Sequence, residues 1–346
     1  MQSYVERTEA LLEELHQAMI KPWFEGWDSG AGKIPEGDPF ANASAMREPI
    51  FYGGESAYHF QYEQLACLKY GADNAWLQTN KRFRIDDACR IAEGLGRLQS
   101  KRQLECFQSL RKLPSDQWTI LPGFVFTKED AADASGIPGE TVESVLDAFS
   151  CSPSERNSSF TALNEFNATN AMPILKIGHG SYILLQHYSL LEAIYENPFF
   201  WMAADKPYLQ TAVANRGRFA EGFAADRLEA VFGTARVLRN VDIYKGKDRF
   251  AEADVLVLYG DRAIVVQAKS KRLTIEARKG NDLQFHDDFK KAIQDAYDQA
   301  LVCADALSNE GFRFVLSSGA EVAISNKPKV IFPIRLQGKR LVRPSP

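Results

Sequence analysis

The chain has 346 residues, of which 45% are apolar and 25% charged, and its formal net charge is −4 at neutral pH. That balance is ordinary for a globular protein with room for two cores, and it excludes a disordered or collagenous chain. The five cysteines form no Cys-x-x-Cys pair and the five histidines are scattered, so neither a disulfide framework nor a zinc site nor a Ser-His arrangement is expected, and a reducing cytoplasm suits such a chain.

Residues 4–20 place Val5, Leu11, Leu12, Leu15 and Met19 near helical spacing, which predicts an acidic amphipathic helix. This stretch is unlike a signal peptide, and no run approaches the roughly 20 apolar residues of a membrane span. Gly and Pro then mark a loop over about 26–54. Within it Ser29-Gly-Ala-Gly-Lys33 lacks the full spacing of a phosphate-binding loop and any preceding strand, so no nucleotide site is expected there. Helical patterns resume over about 55–70 and 86–113, and residues 1–125 read as a helical N-terminal region.

Residues 126–205 read as a second region. Phe126–Phe149 has the outline of a helix-turn-helix, and Pro173–Gln186 reads as a hairpin turning at Gly178-His179-Gly180, which together give a winged-helix outline. Such modules commonly lay their second helix in the DNA major groove. Here that helix, about Gly139–Phe149, carries Glu140, Glu143 and Asp147 and no Lys or Arg. An acidic helix repels phosphate, so the module reads as a structural or protein-binding element. Leu190–Trp201 gives a short helix and an aromatic cluster with few interleaved cations, the signature of core and not of a base-stacking platform.

Residues 206–346 carry the chemistry. A helix over 215–232 presents Phe219, Phe223, Ala224, Leu228, Val231 and Phe232 and stops at Gly233. Apolar β-formers at Val255–Tyr259 and Ala263–Val266 flank Gly260-Asp261, a two-residue hairpin turn. Pairing Tyr259 with Arg262 then sets Asp254 opposite Gln267 and Glu252 opposite Lys269. Directly paired side chains share a face roughly 5 Å apart, so four polar groups converge on a hairpin otherwise too apolar to carry them cheaply.

The pattern Asp254, twelve residues, Gln267-Ala268-Lys269 resembles the PD-(D/E)XK nuclease superfamily. It matches the variant in which Gln replaces the second acid, as in Mrr-type restriction endonucleases and nuclease-related (NERD-like) domains. The resemblance covers about residues 211–310 and implies a restriction-endonuclease-like mixed sheet flanked by helices, so the whole chain is expected to be α+β. It further implies that Asp254, Gln267 and the Ala268 carbonyl hold Mg²⁺ or Mn²⁺, with Lys269 as the catalytic amine that orients or activates the attacking water. Glu221, on the preceding helix, takes the place of the family's helical acid and further metal ligand, with Glu229 in reserve. Gln294, on a later helix, corresponds to a residue that reaches the site in related folds. Glu252 is either an ion-pair partner of Lys269 or a supporting acid. A neutral Gln ligand implies weaker metal binding than two carboxylates give.

The function so implied is that of a metal-dependent endonuclease, with DNA favoured over RNA and restriction or anti-phage defence as the setting in which such folds occur. A binding or assembly protein that keeps the fold without strong catalysis is the alternative. Further on, a strand over 272–277, a helix over 287–307 and an edge strand over 329–336 containing Pro333 complete the pattern. From residue 211 onward there are 23 Lys and Arg against 17 Asp and Glu; the preceding residues hold 18 against 28. The basic half therefore reads as the nucleic-acid side, with Arg218, Lys271 and Arg272 as candidate contacts. The acidic half reads as a regulatory or assembly region open to a protein partner or self-association.

Overall fold

The computed structural model describes residues 2–25, 58–151, 167–269, 283, 287, 290–324 and 327–337. The fold is α+β, with a four-stranded and a five-stranded sheet in two compact units. One unit holds the described residues between 58 and 219, and the other those of 2–25 and from 220 onward. The opening helix runs Gln2–Glu25, with Val5, Leu11 and Leu12 exposed. Among the described residues no helix is long and apolar enough to cross a membrane, and all five cysteines are free.

In the first unit, helices His59–Tyr70 and Ile85–Leu110 follow the predicted periodicity. A further helix between them, Asn74–Lys81, was not evident in the pattern; it ends at Arg82, whose φ of 62° breaks the helical path. Strand β1, Val125–Thr127, leads into helix Lys128–Ser135, capped by Thr127, whose side chain accepts from the Asp130 amide. Gly136 at φ 68° ends that helix, and the second helix, Gly139–Phe149, starts after Pro138. Strand β2, Ser150–Cys151, follows, and then β3, Ile174–Gly178, and β4, Ser181–Leu184, form the hairpin. The expected turn is present: Gly178, His179 and Gly180 all have positive φ, and Gly178 pairs with Ser181. The short helix expected from Leu190 is His187–Glu196, and the aromatic stretch after it forms a second helix, Pro198–Ala204, because Pro198 cannot continue the first.

One core serves both the helices before residue 125 and the winged-helix-like stretch: Tyr70, Phe83, Leu95, Phe126, Phe149, Ile174 and Leu184 belong to a single buried cluster. Helices meet closely at Gly94, where a β-carbon would stand 2.8 Å from the Ala134 carbonyl oxygen. The acidic second helix is matched from within the unit, with Lys128 on Glu143 at 3.3 Å and Lys176 on Asp147 at 2.8 Å.

The second unit holds the sheet β8-β5-β6-β7-β9. Its strands are β5 Val237–Lys245, β6 Asp248–Tyr259, β7 Arg262–Lys269, β8 Phe312–Leu316 and β9 Val330–Gln337. Pairing is antiparallel except for β7 with β9, so the sheet is mixed. β9, with Pro333, lies at an edge, where a missing N–H is tolerated. Ala224 and Ala225, from the helix Leu209–Phe232, pack with Val255, Val257 and Val266 on one face. Helix Asp295–Ser308 covers the other, through Ala300, Cys303 and Leu307 against Leu256, Ala263 and Val265. The strand expected over 272–277, together with Lys271 and Arg272, lies outside the described residues.

The first unit contains a buried carboxylate. Asp73 is 1% exposed, and its Oδ1 accepts from the Tyr208 hydroxyl at 2.8 Å and from the Asn215 amide. Burial raises its carboxyl above the usual range, against the opposing hydrogen bonds from Asn215 and Tyr208 and the Arg218 charge. Asp73→Ala should cost on the order of 2–4 kcal/mol in chemical denaturation, because two donors lose their acceptor. Since the folded pKa is raised, the stability tied to the neutral form is lost as pH rises through it, so Asp73→Asn should gain on the parent with rising pH. An Asp73→Ala variant within about 0.5 kcal/mol of the parent would contradict the assignment.

Candidate functional site

The site begins where β6 stops pairing with β7. The ladder runs from Tyr259 opposite Arg262, across the Gly260-Asp261 turn, to Val255 opposite Val266. At the next position Asp254 and Gln267 do not continue it. Instead the Ala268 N–H donates to the Asp254 carboxylate Oδ2 at 2.7 Å. On the other side of β6 the register passes from Arg239 opposite Val255 to Val241 opposite Ala253, leaving out Asn240 and Asp254. Asn240 has a φ of 50°, a conformation its short polar side chain tolerates.

The same place changes the face of the sheet. Ala253 and Leu256 both belong to the core under helix Asp295–Ser308 although they are three residues apart, and on β5 Val241 and Leu238 do the same. Regular alternation forbids that, so both strands swap faces between those positions. Asp254 therefore stands at an irregularity, which is how its carboxylate reaches a backbone N–H of the neighbouring strand.

Gln267 is 2% exposed. Its Nε2 donates to the Glu252 carbonyl and, at 3.8 Å, to Cys303 Sγ, which leaves Oε1 as the acceptor end of the amide. Cys303 Sγ in turn donates to the same Glu252 carbonyl at 3.3 Å. Burial pushes this thiol up to about 11, the Asp254 and Glu252 charges add to the rise, and the Gln267 bond works against it. Beside these groups lies a cleft of about 460 Å³ lined by Phe250, Glu252, Gln267, Asp298 and Gln299.

The remaining predicted residues fall as follows. Glu221 lies on the helix whose Phe232 packs on Tyr259 at 5.8 Å between ring centroids and whose Ala224 and Ala225 join Val255 and Val266. The helix thus runs from the turn end of the hairpin toward Asp254, and Glu221 sits one turn beyond Ala224 and Ala225 in that direction. Its helix covers one face of the sheet, whereas Gln267 contacts Cys303 on the other. Glu229 is engaged elsewhere, with Arg239 at 2.8 Å. Glu252 pairs with Arg249 at 2.6 Å, and Arg249 also bridges to Asp242. Gln294 donates to Asp298 at 2.7 Å. Arg218 donates to Asn215 in the Asp73 network of the first unit. The Lys269 backbone stands opposite Gln337 at the end of β7.

Sequence reasoning missed two neighbours, Cys303 and Arg335. Cys303 follows Ala296 and Ala300 at helical spacing, which marks its face but not its bond to Gln267. Arg335 stands opposite Gln267 in the parallel β7–β9 register, and burial brings its guanidinium down to about 10.

Among the described residues no group of three or more His, Cys, Asp or Glu is placed to hold a metal ion. What the β6–β7 end offers is a different set of hard oxygens: the Asp254 carboxylate, the Gln267 amide oxygen and the Ala268 carbonyl. Such a set suits a hard divalent cation more than zinc.

Residues 216–333 match the family model of the nuclease-related domain. That stretch contains Asp254, Gln267, Lys269 and Glu221, and it agrees with the PD-(D/E)XK resemblance drawn from the hairpin. No curated protein and no solved structure matches the chain in the corresponding searches.

The buried amide can be tested by making it titratable. In Gln267→Glu the new carboxyl would meet the Glu252 carbonyl oxygen and the Asp254 charge without solvent, so its folded pKa should lie above the unfolded value of roughly 4.3. Its stability relative to the parent should then fall as pH rises from about 5 to 8, as denaturant melts would read. A difference that does not vary with pH would mean that position 267 is open to water.

Proposed function

We propose that the nuclease-related domain is a metal-dependent phosphodiesterase, an endonuclease for which DNA is the favoured substrate. The observation that supports this most is the Ala268 N–H to Asp254 bond, which sets a carboxylate beside the Gln267 amide and the Ala268 carbonyl within the matched stretch. Asp254, Gln267 and the Ala268 carbonyl would hold Mg²⁺ or Mn²⁺, with Glu221 as a further acid from the helix. When bound, the ion supplies Lewis acidity toward a phosphoryl oxygen and lowers the pKa of water.

The chain's own residues do the rest. Asp254 is oriented by the Ala268 N–H, so its carboxylate needs little reorganisation. Gln267 contributes an oxygen without adding a second negative charge, which lowers metal affinity relative to a two-acid site and leaves less repulsion toward a phosphodiester. Lys269 supplies the ammonium that orients the attacking water or offsets charge developing at phosphorus. The basic surplus of residues 211–346 attracts the polyanion. The N-terminal acidic region, with its winged-helix-like stretch, would serve regulation, a protein partner or self-association, and restriction or anti-phage defence is the setting we favour.

The test is cleavage of supercoiled plasmid, single-stranded DNA and RNA by the full chain over a range of Mg²⁺ and Mn²⁺ concentrations. Lys269→Ala should slow cleavage on the order of 10²-fold or more while Mn²⁺ binding persists. Asp254→Ala should lose cleavage and Mn²⁺ binding together, and Gln267→Glu should bind Mn²⁺ more tightly without losing cleavage. Preferential cutting of RNA would change the substrate and keep the chemistry. Equal rates for the parent, Lys269→Ala and Asp254→Ala at saturating Mg²⁺ would make the cluster structural.

A further inference from the structure

β9 brings a guanidinium to the edge of the site. Arg335 is the register partner of Gln267, and strands pair about 4.8 Å apart with matched positions on one face. Ile331 packs into the core under helix Asp295–Ser308, whereas Leu336 packs against the opposite core, so alternation puts Arg335 on the Gln267 and Cys303 side. Its Nε and Nη2 are both buried, and neither has a hydrogen-bond partner among the described residues.

These two nitrogens form one edge of the guanidinium, with near-parallel N–H bonds spaced to meet two oxygens of a carboxylate or phosphate. The acids around the site are otherwise engaged: Glu252 pairs with Arg249, and the Asp254 carboxylate takes the Ala268 N–H. Buried donors of a charged group are expensive to leave unpaired, and groups left so in a folded protein mark a place completed by something else. Shielding from water also strengthens whatever pairing is made there.

We propose that the Nε and Nη2 edge of Arg335 is an anion-binding site that grips non-bridging oxygens of a nucleic-acid phosphodiester beside Gln267. The choice of a phosphodiester rests on the endonuclease reading above and on the position of Arg335 next to the oxygen set of Asp254, Gln267 and Ala268. Arg335 binds and orients the substrate; it transfers no proton. Because both donors are closed to solvent, the substrate must open this face locally to reach them.

The experiment compares the full-length parent with Arg335→Met and Arg335→Lys. Thermal unfolding is followed with and without inorganic phosphate, and binding of a fluorescent DNA duplex is measured without divalent metal across a salt series. In phosphate-free buffer Arg335→Met should melt no lower than the parent, since an unpaired buried cation contributes no stability. Phosphate should raise the melting temperature of the parent and not that of Arg335→Met. Arg335→Met should bind DNA on the order of tenfold to a hundredfold more weakly, with the logarithmic salt slope reduced by about one, and Arg335→Lys should fall between. Mn²⁺ binding should be unchanged in both variants.

A lower melting temperature for Arg335→Met without phosphate would show that the guanidinium has a structural partner and would overturn the proposal. A phosphate-dependent shift with unaltered DNA affinity would leave a site for free anions and overturn the phosphodiester assignment. If the parent itself binds no nucleic acid, the endonuclease reading falls with the phosphodiester assignment, while the phosphate shift still decides separately whether Arg335 holds an anion.

Discussion

The hydrogen bond from the Ala268 N–H to the Asp254 carboxylate organises the site. A backbone N–H near the centre of a sheet must find an acceptor, and the one it would take from a continued β6 ladder is absent because β6 changes face there. The carboxylate fills that role, and its charge makes the bond stronger than the ladder bond it replaces. One constraint thus satisfies the backbone, fixes the acid, and holds the Ala268 carbonyl and the Gln267 amide in its neighbourhood. The paired irregularity at Asn240 makes this affordable, because β5 swaps faces with β6 and both cores stay sealed.

How much of this was legible in the sequence differs from residue to residue. Gly260-Asp261 between two apolar runs is a local signal, and the Tyr259–Arg262 pairing followed from it. Extending that register one position past Val255–Val266, to Asp254 and Gln267, assumed unbroken alternation. Nothing in Ala251-Glu-Ala-Asp254 announces an irregularity whose cause sits on another strand. β5 and β8 were not singled out, since Arg239 and Asn240 interrupt the apolar pattern of the first and the second is only five residues long. The partner of Glu252 was also a local matter: Arg249, three residues earlier on the same strand, bridges it to Asp242.

In the other unit, the winged-helix outline was readable because its punctuation is local: Thr127 as cap, Gly136 as stop, and three positive-φ residues at the hairpin tip. Its burial in one core with the preceding helices was not readable, because apolar periodicity says which face is buried and not against what. The acidic second helix has a physical account in the pairing of Asp147 and Glu143 with lysines of the same unit. Arg218, counted by charge among the candidate nucleic-acid contacts, is held by Asn215 in a network that a tally of charges cannot reveal.

β9 gives the second unit a particular order of assembly. The β6–β7 hairpin closes on two residues, but β7 ends at Lys269 and β9 begins at Val330, so their parallel pairing is a long-range contact. Its first hold is at the hairpin tip, where the Lys329 N–H reaches the Asp261 carbonyl at 2.7 Å. Contacts of that sequence separation pay a loop-closure cost and form late. A nascent chain therefore carries Asp254 and Gln267 on a finished hairpin before Arg335 arrives. Until it does, the Ala263–Val266 stretch of β7 is an uncovered strand edge of the kind that recruits other chains. The strand that covers the β7 edge is thus also its guard against aggregation.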